Sequence, residues 1–185
     1  MTDVQTLAVY DAKIEDYLRL TQAPPSKSLL AFIKAIPAGE RVLDLGCGTG
    51  NAIPYLMPYL SSYRGVDFSR KMLNIAQKTY PDLQFDCSSI TNFKVINQYN
   101  LVLSAYDTIN HLLSKSDWED VILRASKSLK ANGIFIFDGA EVAAESCIIH
   151  KNESHGLFVL GGGDFNFNNC NILSYAGSVA AVGIT

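Results

Sequence analysis

The sequence lacks a surplus of positive charge. Its 185 residues include 15 Lys and Arg against 18 Asp and Glu, which gives a net charge of -3. Binding to a nucleic acid or to an anionic membrane surface depends on Lys and Arg side chains that neutralise phosphate groups. The composition therefore disfavours polynucleotide and membrane-surface partners.

Paired cysteines and long apolar runs are also missing. The four cysteines, Cys47, Cys87, Cys147 and Cys170, form no CxxC pair, which argues against a disulfide framework or a zinc site. No apolar run approaches the roughly 18 residues of a membrane span, and the chain does not open on the basic and then apolar segments of a secretory leader. We therefore expect a soluble protein of the reducing cytoplasm, with no bound metal.

Strand-like and helix-like segments alternate through most of the chain. Apolar runs at 41–45, 63–67, 83–86, 100–105 and 133–138 predict five buried strands. This alternation is typical of a doubly wound α/β domain with a mostly parallel sheet. We predict a single domain over residues 1–185, in which helices at 8–20 and 26–36 make an N-terminal cover (1–38). The tail at 139–185 is atypical, with one strand at GLFVL and another within 171–185, separated by a glycine- and asparagine-rich loop.

Capping residues predict where the helices between these strands begin and end. Ser69 is a good N-cap for a helix that stops at Pro81. Ser116 and Glu119 form a capping-box pattern, and Asn132 with Gly133 predicts the end of that helix.

A glycine-rich turn follows the first predicted strand in VLDLGCGTG, residues 42–50. Gly46, Gly48 and Gly50 leave bare backbone where the strand passes into a helix, which lets a ligand approach closely. Their spacing differs from the dinucleotide pattern GxGxxG, and Asp44 would repel a phosphate but attract a cation. The turn therefore predicts a ligand with positive charge, although such a turn can also serve close packing alone.

A second carboxylate, Asp67, ends the next predicted strand in GVDFS. Its side chain would emerge at the carboxyl edge of the sheet beside the glycine turn, where a carboxylate suits both hydroxyls of a ribose. The alternative is a capping role for the following helix. We favour ribose binding because Ser69 already supplies the cap.

VLDLGCGTG followed by GVDFSRKML resembles the first two motifs of class I S-adenosylmethionine-dependent methyltransferases, and LVLSAYDTINHL and LKANGIFIFD resemble its fourth and fifth strands. The resemblance implies a Rossmann-like sheet of order 3-2-1-4-5-7-6, whose last two strands stay uncertain here, and S-adenosylmethionine as cofactor. It implies that Asp67 holds the ribose and that Ser88 or Ser89 replaces an acidic residue that often contacts the adenine. The other implied cofactor contacts are Asp44, Gly46, Cys47, Gly48, Gly50, Phe68, Met72 and Ser104.

Residues for the methyl acceptor are expected directly after the fourth strand, in SAYDTINHLL. His111 is the candidate acid–base residue and Tyr106 a second catalytic candidate, with Asp107 and Asn110 as substrate contacts. Tyr10 and Tyr17 lie at two-turn spacing and are candidates for a lid over the substrate. Alternatively, Asp107 caps a short helix, His111 is a satisfied half-buried residue and the two tyrosines pack in the core.

The leading functional prediction is methyl transfer from S-adenosylmethionine to the nitrogen or oxygen of a small molecule. An alternative is a catalytically silent module that binds the cofactor as a sensor or partner subunit. A nicotinamide dehydrogenase is disfavoured by the glycine spacing and by Asp44. Because the tail departs from the family pattern, a second subunit in a homodimer is one possible source of substrate enclosure.

Overall fold

The computed structural model describes most of the central part of the chain. The described ranges are 38–106, 108–112 and 114–138, the segments 142–145, 156–160 and 165–168, and the positions 12–14, 16, 18, 24, 30, 33 and 34. All structural statements below refer to these residues.

A six-stranded sheet forms the centre of the structure, with the strand order β3-β2-β1-β4-β5-β7. Every pairing in this sheet is parallel. The predicted doubly wound α/β fold is confirmed, including the order 3-2-1-4-5. The implied 7-6 end of the order is not observed, because the strand beside β5 has no further neighbour among the described residues of this sheet. The strands are β1 (Glu40–Leu45), β2 (Leu60–Asp67), β3 (Gln84–Cys87), β4 (Tyr99–Ser104), β5 (Leu129–Asp138) and β7 (Gly156–Leu160).

The strands are buried on both faces because apolar side chains point alternately to either side. On one face, Val42, Tyr63 and Leu101 pack in a cluster with residues of the helical segments that follow β1 and β2. On the other face, Leu43 and Val102 pack in a second cluster. In register, Val42 lies beside Tyr63 and Asp44 beside Gly65, so Asp44 shares the face of Tyr63.

Three α-helices connect the strands: α1 (Ile53–Leu56), α2 (Arg70–Thr79) and α3 (Lys115–Ser128). A 3-10 turn, Met57–Tyr59, follows α1, and another, Thr108–His111, follows β4. Ser69 caps α2 as predicted, since its side chain accepts a hydrogen bond from the Met72 amide. α1 and α2 border the face of Val42, whereas Val121 and Ala125 of α3 pack on the opposite face. We call these the α1/α2 face and the α3 face.

Two predicted boundaries of α3 are wrong. The N-cap is Ser114, whose side chain accepts from the Asp117 amide, and Ser116 lies within the first turn. The helix ends at Ser128 and not near Asn132, because Leu129 is fully buried and pairs with Tyr99 as the first residue of β5. The burial and pairing of Leu129 therefore end the helix four residues before the stop signal of Asn132 and Gly133.

The tail contains the predicted strand GLFVL, which forms β7 and lies parallel to β5. β6 (Val142–Glu145) does not join this sheet but pairs in parallel with β8 (Phe165–Asn168) in a second, two-stranded sheet. β8 lies where the sequence predicts a glycine- and asparagine-rich loop, so the loop prediction is wrong there. The other predicted tail strand, within 171–185, lies outside the described residues.

A few positions of the predicted N-terminal cover are described, and position 13, within the first predicted helix, is a bend. Positions 12, 14, 16 and 18 are helical, as are 30, 33 and 34. Ile33 is 2% exposed and belongs to the cluster on the α1/α2 face. Among the described residues, no helix combines the length and the apolar character needed to cross a membrane.

The cap of α3 provides a test of the boundary. We expect Ser114→Ala to lower the free energy of unfolding by about 1 kcal/mol, because the Asp117 amide loses its acceptor. Ser116→Ala removes the predicted cap residue and its 2.8 Å contact with the Ser114 hydroxyl but leaves the Asp117 amide its acceptor, so it should cost less than about 0.5 kcal/mol. Urea unfolding of the two variants measures the difference. Equal losses would contradict the observed cap.

Candidate cofactor site at the carboxyl edge of the sheet

The glycine turn needs its glycines for backbone conformation. Gly46, Gly48 and Gly50 have φ angles of 76°, 53° and 88°, in the left-handed region that disfavours other residues. The Val66 carbonyl oxygen accepts hydrogen bonds from the amides of Gly46 at 2.7 Å and of Cys47 at 3.2 Å. The turn is therefore held against the end of β2.

Two of these glycines also lie where a side chain would not fit. A Cβ on Gly46 would overlap the side chain of Thr108, and a Cβ on Gly50 would lie 2.7 Å from Ile53 and 3.1 Å from Tyr80. The Thr108 hydroxyl donates to the Ala105 carbonyl oxygen at 2.8 Å, which holds it at the end of β4. The segments after β1 and β4 are thus in direct contact at Gly46.

The Asp67 carboxylate is a hydrogen-bond centre between the turn and α2. Its Oδ2 accepts from the Gly48 amide at 2.9 Å, and its Oδ1 accepts from the Ser69 amide at 2.8 Å. Burial raises the pKa of Asp67, and the hydrogen bonds from backbone amides oppose that rise. The Phe68 amide is a third backbone donor to this carboxylate. Because a carboxylate has about four acceptor positions, capacity for a further donor remains.

Asp44 is buried below the same turn. It is 3% exposed, and its Oδ2 accepts a 2.8 Å hydrogen bond from the hydroxyl of Tyr63. Cys47 is also buried, and desolvation, together with Asp44 and Asp67, raises the pKa of its thiol well above the usual value. Cys47 is therefore a neutral packing residue whose place in the site depends on its backbone.

Ser88 and Ser89 follow β3, and Ser88 contacts the backbone of Asp67. The Ser88 amide donates to the Asp67 carbonyl oxygen at 2.9 Å, and the Ser89 hydroxyl is 2.8 Å from that of Thr91. The nearby Asp86 points to the α3 face, where it forms an ion pair with Arg64. In β3, Cys87 pairs in register with Asp67, and the residues that follow the strand are serines rather than a carboxylate.

The candidates after β4 lie in different surroundings. Ser104 is fully buried and pairs in register with Phe137, so its side chain lies on the α3 face, away from Asp44. Tyr106 has a φ of 59°, a left-handed conformation that is rare for a residue with a side chain. His111 is exposed at the end of the 3-10 turn.

Several predicted site residues are not among those described. Tyr10, Tyr17 and Asp107 lie outside the described residues, and for Asn110 only its backbone position in the 3-10 turn is described. Within the described part of the chain, no group of three or more His, Cys, Asp or Glu residues is arranged to hold a metal ion.

Three residues at this edge were missed by the sequence interpretation: Tyr63, Tyr80 and Thr108. For Tyr63, the signal is the register of β1 and β2. Once Val42 is known to pair with Tyr63, the alternation of side chains places the Tyr63 ring on the same face as Asp44. For Thr108 and Tyr80, no local signal exists, because their contacts with Gly46 and Gly50 join segments that are distant in sequence.

A doubly wound sheet with a glycine turn and two buried carboxylates at its carboxyl edge defines an α/β protein of the ligand-binding type. A family model described as a methyltransferase domain matches residues 42–133, from the start of the glycine motif into β5. The chain belongs to the class I S-adenosylmethionine-dependent methyltransferases, so the resemblance noted in its motifs is confirmed. The cofactor of this family is S-adenosylmethionine.

Two similar proteins are methyltransferases by name. YqeM of Bacillus subtilis is 31% identical over 158 residues, which make up 78% of this chain and 63% of YqeM. The dTDP-3-amino-3,6-dideoxy-alpha-D-glucopyranose N,N-dimethyltransferase of Streptomyces fradiae is 23% identical over 131 residues, or 70% of this chain and 49% of that enzyme. The chain thus spans less than two thirds of either relative.

A solved structure supports the fold. CalS10, an amino pentose methyltransferase from Micromonospora echinaspora that was solved with S-adenosylmethionine bound, superposes with a TM-score of 0.59 at 18% identity. The match covers 68% of this chain and 56% of CalS10. At this identity the likeness concerns the fold.

The contact between Gly46 and Thr108 gives a test of the turn. Gly46→Ala should lower the free energy of unfolding by about 1–2 kcal/mol from left-handed strain, with a further cost of about 1–3 kcal/mol from overlap with Thr108. Gly39→Ala is a matched control, since Gly39 has a φ of 85° but no atom within 4 Å of the place that a Cβ would take. Thermal unfolding and calorimetry with S-adenosylmethionine measure both variants.

We expect Gly39→Ala to show only the strain and to keep cofactor binding, because Gly39 precedes β1 at the opposite edge of the sheet. Equal destabilisation by the two substitutions would contradict the tight packing at Gly46.

Proposed function

We propose that this chain binds S-adenosylmethionine across the ends of β1, β2 and β3 and transfers its methyl group to a small-molecule nucleophile. The observation that carries the proposal is the glycine turn together with the carboxylates of Asp44 and Asp67. Three left-handed glycines lie between two buried carboxylates, and the Gly48 amide is bonded to one of them. The turn offers bare backbone that a ligand can approach closely, and the carboxylates offer negative charge for a sulfonium or ammonium group.

The order of the strands supports an orientation for the cofactor. The methionine part would lie over β1, where Asp44 and the backbone of the turn offer a negative environment. The ribose would lie at Asp67 on β2, and the base would extend towards Ser88 and Ser89 beyond β3. The three parts of the cofactor thus correspond in order to the groups at the ends of β1, β2 and β3.

Asp67 fits the ribose because of the acceptor positions that its backbone contacts leave. The amides of Gly48, Ser69 and Phe68 donate to this carboxylate. The acceptor capacity that remains would bind a hydroxyl of the ribose. The amide contacts also prevent the carboxylate from rotating, which lowers the entropic cost of binding.

The adenine would lie between the start of α2 and the end of β3. Phe68 is half-buried and Met72 is 3% exposed, and both follow Asp67 closely in the chain. Ser88 and Ser89 would supply hydroxyl or backbone hydrogen bonds to the edge of the base. The buried Ser104 would contribute through its backbone only, because its side chain lies on the α3 face.

On the acceptor side, the chain's residues would position the nucleophile and remove a proton. When bound, S-adenosylmethionine supplies an electrophilic methyl group on a positively charged sulfur. Tyr106, held in a left-handed conformation after β4, would position the acceptor together with Asp107 and Asn110. His111, which is exposed, would accept the proton released from an amine or hydroxyl and pass it to solvent.

The names of the relatives suggest a first acceptor class. The Streptomyces fradiae enzyme is an N,N-dimethyltransferase of an amino sugar nucleotide, and CalS10 is an amino pentose methyltransferase. We therefore propose a small amine as the acceptor, with amino sugars tested first and hydroxyl compounds second. Tyr10 and Tyr17 remain proposed contacts for this molecule.

Asp67 provides a test of cofactor binding. Asp67→Asn should weaken S-adenosylmethionine by about 1–3 kcal/mol, because the ribose hydroxyls lose a charged acceptor. Calorimetry measures the affinity, and Asp82→Asn is the control for loss of one negative charge at an exposed position before β3. An unchanged affinity in Asp67→Asn would remove Asp67 from the site.

The pH dependence of the same titration has a defined sign. Burial raises the pKa of Asp67, and a protonated carboxyl loses acceptor capacity. As the pH falls towards this raised pKa, wild-type affinity should drop at a higher pH than an ordinary aspartate would give. Asp67→Asn should lack this drop.

Activity is tested with S-adenosylmethionine labelled in its methyl group and a panel of amino sugars, other amines, phenols and carboxylic acids. We expect labelled product from an amine, and we expect His111→Gln to lower the rate of transfer by about 100-fold at unchanged cofactor affinity. An unchanged rate would exclude His111 as the base. Cofactor binding without product from any acceptor would favour a silent binding module.

A further inference from the structure

We propose that Tyr63 is a positioning residue that fixes the Asp44 carboxylate for the ammonium group of the cofactor's methionine part. The inference rests on the proposed function, because it assigns a role within that cofactor site. It is based on a hydrogen bond between the buried side chains of Tyr63 and Asp44, which lie on neighbouring strands. Asp44 is the acidic residue of the glycine motif.

The geometry is set by the pairing of β1 with β2. Val42 lies beside Tyr63, and Asp44 lies beside Gly65, so the Tyr63 ring starts one pair below Asp44 on the same face. Its hydroxyl reaches up to Asp44 Oδ2 at 2.8 Å. Both residues are 3% exposed, so water does not compete strongly for this bond.

The missing side chain of Gly65 makes this arrangement possible. A Cβ on Gly65 would lie 2.6 Å from the sulfur of Cys47 and 2.9 Å from the ring of Phe85. Phe85 in turn packs edge-on against Tyr63, with ring centroids 5.9 Å apart. The space above Gly65 is thus filled by Cys47 and Phe85, and Phe85 also contacts the Tyr63 ring.

Tyr63 orients Asp44 without neutralising it. Burial, followed by the charge of Asp44 and the neighbouring Cys47, raises the pKa of Tyr63 well above its usual value, so the hydroxyl keeps its proton and donates. Burial likewise keeps the Cys47 thiol neutral, while Asp67 contributes a further negative charge to this cluster. A cationic ligand group is therefore the complementary partner for the carboxylate that Tyr63 holds.

A merely structural role for Tyr63 makes a different prediction. If its hydroxyl serves only the packing of the core, its loss should weaken every ligand of the site to the same extent. If it positions Asp44, its loss should weaken only ligands that carry the amino acid part. Two ligands separate these cases: S-adenosylhomocysteine, which has the ammonium group, and 5′-methylthioadenosine, which has the same nucleoside and sulfur without it.

The experiment measures the affinity of both ligands by calorimetry for the wild-type chain and for Tyr63→Phe. We expect Tyr63→Phe to weaken S-adenosylhomocysteine by about 5- to 20-fold, because the Asp44 carboxylate must then be ordered when the ammonium group binds, and to change 5′-methylthioadenosine by less than about 2-fold. Tyr99→Phe is the matched control. Tyr99 is also a buried tyrosine of the sheet, but it begins β4 at the opposite edge, so neither affinity should change.

A second variant tests the same role without altering the ring. Asp44→Asn keeps an acceptor for the Tyr63 hydroxyl but removes the charge, and it should weaken S-adenosylhomocysteine by at least about 10-fold with 5′-methylthioadenosine nearly unchanged. In the Asp44→Asn background, Tyr63→Phe should then weaken S-adenosylhomocysteine by less than it does in the wild-type chain. The reason is that both residues act on the binding of the same ammonium group.

Each outcome separates the inference from the proposed function. Equal weakening of both ligands by Tyr63→Phe, or no weakening of either, would overturn the positioning role and leave cofactor binding intact. A wild-type chain that binds both ligands equally would overturn it as well, because the ammonium group would then have no partner at Asp44. A wild-type chain that binds neither ligand would instead overturn the proposed function.

Discussion

The hydrogen bond from the Gly48 amide to Asp67 Oδ2 joins the two halves of the candidate cofactor site. It links the turn after β1 to the last residue of β2 across a buried space. Without it, the turn would lose its contact with the Asp67 side chain, and the buried carboxylate would lack one of the donors that offset its desolvation. The same carboxylate holds the Ser69 amide at the start of α2, so one side chain aligns the turn, the strand and the helix.

Much of the fold was predictable because local patterns and long-range packing agree. Each of the five predicted strands is present, and Ser69 caps α2, since the apolar runs are long enough to be buried on both faces of a parallel sheet. The errors lie where tertiary contacts override a local signal. Leu129 pairs with Tyr99 and ends α3 ahead of the stop signal at Gly133. The pairing of β6 with β8 likewise depends on partners that no local pattern indicates.

The candidate site was predictable only in part, and for a physical reason. Glycine spacing and the acidic ends of strands are local features, so Asp44, Asp67 and the turn could be identified in the sequence. The contacts of Tyr63 and Thr108 depend on strand register and on how closely backbones approach. Asp67 also shows that two functional interpretations need not exclude each other, because it bonds the amide of the helix cap and still has acceptor capacity for a ribose.

The packing of Thr108 against Gly46 links the cofactor side of the site to the acceptor side. Thr108 opens the 3-10 turn that carries His111, and its hydroxyl lies 3.4 Å from the Gly46 carbonyl oxygen as well as 2.8 Å from that of Ala105. A displacement of this turn towards β1 is blocked by the backbone of the glycine segment. In the proposed function, this contact would lie between the cofactor and the acceptor, so a single threonine side chain would separate the two ligands.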